Sequence, residues 1–123
     1  MRILLIALGA ITFLTGPYIF LAPHAFYESV PGLSMMGPFN MHFVRDVGLA
    51  FTASGACITY GAYRNAKEVA IAGALWPFLH GLFHIQIWFK RGLPFDHIAA
   101  FDFSIVIFPA VLMMALAVRL RRT

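Results

Sequence analysis

Five side chains stand out of a largely apolar chain as able to do chemistry: His42, Asp46, His80, His84 and Asp102. His42 and Asp46 are four residues apart, as are His80 and His84, so on a helix each pair shares one face. Imidazole nitrogens together with a carboxylate form a donor set suited to zinc, copper or iron. On that reading the five are metal ligands, with His80 and His84 as a two-ligand unit. The zinc-protease signature is incomplete, because Gly81 follows His80 where that motif carries a glutamate. Haem b is the other cofactor to consider, held by one histidine from each of two helices. His80 and His84 cannot both be its axial ligands, since one helix face does not reach opposite coordination positions. A structural reading competes with both. Arg45 then forms an ion pair with Asp102 or Asp46, and each histidine bonds a backbone carbonyl or a loop group. A lipid or quinone headgroup site, or a path for protons or ions, completes the range.

The elements that must position these groups are membrane spans. Of 123 residues, 61% are hydrophobic and 11% charged, less than half the charged fraction of an ordinary soluble domain. A soluble chain this short has too little interior for so much apolar surface. The pattern predicts one all-α domain over 1–123, an integral membrane four-helix bundle with spans at about 3–22, 41–63, 69–89 and 98–118. A span needs roughly 20 helical residues. The first stretch resembles a signal peptide at its start but is longer than a signal core and lacks a clear cleavage site, so it reads as a retained helix. The segment 23–40, with Pro23, Pro31, Gly32, Gly37 and Pro38, reads as a loop lying along the interface. Dense small residues in the second span, among them Gly48, Ala50, Ser54 and Gly55, mark it as the helix most closely packed by its neighbours. Pro17, Pro77 and Pro109 are tolerated kinks.

Basic residues in the flanks set the direction. Arg2, Arg64, Lys67, Arg119, Arg121 and Arg122 fall on one side, against Arg45, Lys90 and Arg91 on the other. Six against three puts both termini in the cytoplasm. Alternating spans then carry Asp46, His84 and Asp102 to similar depths, roughly 6–8 Å inside the outer ends of their helices. Ionisable groups at such depths tend to face the bundle interior and mark function.

Other chemistries find little support. The basic residues are single or paired between apolar runs, which argues against a nucleic-acid partner. Cys57 is the one cysteine, so no intrachain disulfide forms, and it reads as a packing residue. Ser54 and Thr59 have no histidine at a matching depth, and no glycine-rich phosphate loop is present. Trp76 and Trp88 read as packing or interface anchors, and His24 and His97 as solvated loop histidines.

The layout of a leading apolar helix, a proline-bearing loop and a second helix opened by a polar group resembles the small DoxX-like four-helix membrane proteins of bacteria. Its most specific part is Arg45-Asp46-Val47-Gly48 within Asn40–Gly48. The His80–His84 stretch is not part of that likeness. The resemblance implies an accessory protein of the bacterial inner membrane, with a quinone or a redox complex as partner. A metal- or haem-binding enzyme or redox protein, and a small proton or ion carrier, remain the alternatives. Assembly into an oligomer is compatible with each.

Overall fold

A computed structural model describes residues 1–121; Arg122, counted above among the basic flanks, lies outside the described residues. The described chain is helical with no strand. Its elements are α1 (Arg2–Leu21), α2 (Pro23–Ser29), a 3₁₀ turn (Leu33–Met36), α3 (Met41–Arg64) and α4 (Lys67–Lys90). A last helical stretch follows in three parts: α5 (His97–Phe101), a π-helical turn (Asp102–Ile107) and α6 (Phe108–Val118). Three helical stretches are long and apolar enough to cross a membrane: Arg2–Leu21, Lys67–Lys90 and His97–Val118. Helix α3, as long as α4, is not among them.

Helix boundaries follow local chemistry. The Asn40 side chain accepts from the Phe43 amide at 3.0 Å and starts α3, satisfying one of the donors that every helix N-terminus leaves open. Asn65, at φ 53°, ends α3 in the left-handed conformation that an asparagine tolerates. Asp96 caps α5 by accepting from the Ala99 amide at 2.9 Å. The segment 23–40 differs from the expected plain loop. Pro23 occupies the first turn of α2, where its fixed φ and missing N–H favour a helix rather than break one. Met35 and Met36 are exposed, and Tyr27 Oη donates to the Gly37 carbonyl at 2.6 Å.

The helices pack in sequence: α1 on α3, α3 on α4, α4 on the π turn and α6, and α6 back on α1. Contact between α1 and α3 is the closest. A Cβ added at Gly48 would lie 2.8 Å from the Gly16 carbonyl oxygen, and one at Gly55 would lie 2.7 Å from that of Gly9. Only hydrogen at these positions lets the two backbones approach so far, as in small-residue contacts between membrane helices. On the opposite side of α3, the Ser54 hydroxyl donates to the Gly73 carbonyl of α4.

The main apolar core gathers at the end of the molecule where α1 and α4 begin and α3 and α6 finish. Leu5, Ile58, Ala62, Ala70, Ala74, Met113 and Leu116 form it. Cys57, read from the sequence as a packing residue, is exposed. The other end of the helices is built differently, around polar side chains.

Candidate functional site: a histidine–aspartate pair between α4 and the π turn

Asp102 is 4% exposed, the one acid buried among the described residues. Its Oδ1 lies 3.0 Å from His84 Nδ1. The nitrogen is buried and finds no partner in full hydrogen-bond alignment, so the contact is a close polar approach. A buried carboxylate in an apolar setting demands a partner or a proton. The imidazole can meet either need.

Backbone geometry brings the two together. Pro109 has no N–H to give the carbonyl four residues back, and the chain just before it opens into the π turn. Asp102 is the first residue of that turn and Ile107, also buried, the last. On the facing helix Gly81 presents no side chain. A Cβ there would meet Ala110 Cβ at 3.4 Å and Ile107 Cα at 3.6 Å, so α4 and the last helical stretch lie close beside the pair.

A row of rings leads along α4 to this point. Phe51 of α3 meets Trp76 edge-on, with centroids 5.0 Å apart. Trp76 stacks on His80 at 5.1 Å with planes 7° apart, and His80 meets His84 edge-on at 4.7 Å. One helical step further, Trp88 packs against Phe103 at 5.1 Å, and its indole N–H donates to the Pro94 carbonyl at 2.9 Å. Trp76, His80, His84 and Trp88 are spaced by four and form one stripe. Trp76 and Trp88 pack against other rings, in line with the packing half of the sequence reading, and their spacing by four was there to place them beside the histidines.

The remaining expected site residues lie apart from this pair. His42 Nδ1 is 3.7 Å from Asp46 Oδ1, but their side chains are 89% and 57% exposed. Arg45 does not form the expected ion pair with Asp102. Its Nε donates to the Phe20 carbonyl at 3.2 Å and its guanidinium sits 5.3 Å from the Phe20 ring centroid. The cation thereby satisfies a carbonyl in the last turn of α1, where a helix favours positive charge. Of the five residues proposed as metal ligands, the structure joins His80, His84 and Asp102 in one row and leaves His42 and Asp46 outside it. Among the described residues no group of three or more His, Cys, Asp and Glu side chains is placed to hold a metal ion.

A second acidic residue guards the loop outside the pair. Asp96 takes an ion pair from Arg91 as well as capping α5. The Arg91 hydrogen bond, then the Ala99 amide, hold its carboxyl below the usual value of 3.8. A carboxyl with a lowered folded value stabilises the fold above the unfolded value and loses that contribution as pH falls through the folded one. Thermal melts of the wild type and Asp96→Asn should therefore differ at pH 7, and the gap should start to close only as pH falls below about 4. A gap that stays constant down to pH 3 would show that the charge on Asp96 is not what matters.

No family model matches the chain, and no curated protein or solved structure is significantly similar to it.

Proposed function

We propose that the chain is a small integral membrane protein of DoxX-like type, a four-helix bundle accessory to a redox complex, and that the His84–Asp102 pair is its working part. Helices α1, α3, α4 and the α5–α6 stretch are the four spans, with both termini on the cytoplasmic side of a bacterial inner membrane. Helix α3 has 24 residues, about 36 Å at 1.5 Å per residue, enough for a hydrocarbon core of about 30 Å. Two of its polar groups, Arg45 and Ser54, are bonded to backbone carbonyls of the neighbouring helices, which lowers the cost of crossing.

The observation that carries the reading is a buried carboxylate 3.0 Å from an imidazole on two helical stretches apolar enough to span. Such a pair is expensive in hydrocarbon, and packing alone would be served as well by leucines. What leucines cannot do is give and accept a hydrogen bond. A planar ligand with a carbonyl or hydroxyl edge, the headgroup of a quinone, would present that edge to the pair and lay its ring against the stacked His80 and Trp76.

Trp76 reports on this directly. In a Trp88→Phe background, titrating the reconstituted protein with a short-chain quinone should quench the remaining tryptophan with saturation. His84→Ala and Asp102→Asn should each weaken that binding by about tenfold, the worth of one charge-assisted hydrogen bond. Quenching that never saturates, or that both variants leave unchanged, would overturn the assignment.

A further inference from the structure

The end of the molecule away from the histidine–aspartate pair is open to the surface. A shallow, open depression of about 350 Å³ lies where α1 begins and α3 ends, lined by Arg2, Tyr63 and Arg64. A second, apolar hollow of about 450 Å³ continues from Tyr63 between the same two helices. Ala10, Phe13 and Leu14 of α1 and Ala56 and Tyr60 of α3 line it. One tyrosine thus belongs to both, so a charged cup opens onto a greasy groove. We propose that this end holds one anionic phospholipid, its phosphate between Arg2 and Arg64 and one acyl chain in the groove between α1 and α3.

Charge favours that occupant. Where α1 begins and α3 passes into α4, Arg2, Arg64 and Lys67 stand against one acid, Glu68, and Arg119 and Arg121 follow α6 at the same end of the molecule. Arg2 Nη1 donates to Asn65 Oδ1 at 3.5 Å, which draws its guanidinium over the end of α3, beside Arg64. Two guanidiniums lining one depression repel each other unless an anion lies between them, and a phosphate offers each a pair of acceptors. The α1 N-terminus has no side-chain cap, so its open amides and positive dipole end favour the same negative charge.

Depth favours a lipid over a free anion. Ala56 lies eight residues before Arg64, about 12 Å along the helix, against about 15 Å for half the hydrocarbon core. The groove therefore follows an acyl chain through most of one leaflet. Tyr60 and Tyr63 are 58% and 67% exposed, at the level where tyrosines gather beside headgroups. A soluble phosphate ester would leave the apolar half of this feature empty.

The inference rests on the membrane-spanning part of the proposed function and not on the His84–Asp102 pair. Native mass spectrometry of the full chain, released from detergent in the presence of phosphatidylglycerol or phosphatidylcholine with identical acyl chains, tests it. One phosphatidylglycerol should stay bound per chain, with phosphatidylcholine held at least about tenfold more weakly. The double variant Arg2→Gln/Arg64→Gln should lose that preference. Ala56→Trp, which fills the groove and leaves every charge in place, should release the lipid too. Equal retention of the two lipids by the wild type would overturn the proposal. So would an equal loss from Arg119→Gln/Arg121→Gln, which would mean diffuse attraction to a basic surface. Should the arginine variant fail to fold, the headgroup comparison and Ala56→Trp still decide. Resistance of the wild type to carbonate extraction from membranes tests the spanning itself, so a failure there is told apart from a failure of the lipid site.

Discussion

Replacing His84 alone with leucine should destabilise the folded chain by about 2–3 kcal/mol, whereas replacing His84 and Asp102 together should restore wild-type stability or exceed it. The single change leaves the Asp102 carboxyl 4% exposed with no imidazole beside it. The group must then stay charged in an apolar surround or take up a proton that has no acceptor, and either costs free energy. Asp102→Leu alone should cost less, about 1 kcal/mol, because an imidazole is a cheaper group than a carboxylate to leave without a partner. The double variant has nothing left to desolvate and fills similar volume with packed apolar atoms. Reversible unfolding in mixed micelles, run as a double-mutant cycle, gives the coupling directly. A double variant as unstable as the sum of the singles would mean that the pair acts through shape alone. The expected result has a functional corollary. A sequence that would be as stable with two leucines keeps a histidine and an aspartate for what they bind, so the double variant should fold well and fail to show saturable quinone quenching.

How far this site could be read from the sequence depends on the residue. His80 and His84 were legible, because spacing by four places them on one face whatever the tertiary structure. Asp102 was legible as an acid at the depth of His84, but the sequence did not single out His84 as its partner. Its neighbour is fixed by the π turn, and the buried residues of the last stretch show how: Ile98, Ala99 and Asp102 are followed by Ile107 and Ala110. The five-residue step from Asp102 to Ile107 has no place in an α-helical period of 3.6, under which residue 105 or 106 would be the buried one. Ile105 is instead 61% exposed. Arg45 failed for a related reason. A guanidinium and an acid at one depth in the membrane invite an ion pair, but the Phe20 carbonyl of α1 takes the Arg45 side chain instead, and only the crossing of α1 and α3 decides that. His42 and Asp46 were given their correct shared face, yet periodicity cannot say whether a face at a helix end looks inward or out. The helices themselves were easier to read, since long apolar runs and capping residues are local signals. Pro23 was the exception, taken as loop punctuation when its position before a short amphiphilic run made it a helix start.

The largest effect of any single change should come from Gly55→Val, far from the polar pair. A Cβ at this position falls against the Phe13 backbone and within 2.7 Å of the Gly9 carbonyl oxygen. Backbone cannot swing aside as a side-chain tip can, so α1 and α3 must move apart over their whole closest contact. Overpacking of a well-filled core commonly costs 1–3 kcal/mol, and a clash with main chain should reach about 3 kcal/mol or more. The loss should also spread. Gly48 and Gly9 lie on the same contact, so separation at Gly55 forfeits the dispersion energy of the others. Ala53→Val is the control, because Ala53 lies two residues away on an exposed face of the same helix and should cost less than about 0.5 kcal/mol. Cysteine crosslinking between α1 and α3 in native membranes reads the spacing: Gly55→Val should slow the crosslink sharply and Ala53→Val should leave it unchanged. Equal behaviour of the two would show that the helices are not held by close backbone approach. The groove assigned to the lipid chain lies between these same helices, with Phe13 and Ala56 in its wall. A Gly55→Val protein that still folds should therefore bind phosphatidylglycerol more weakly while retaining quinone quenching at the far end.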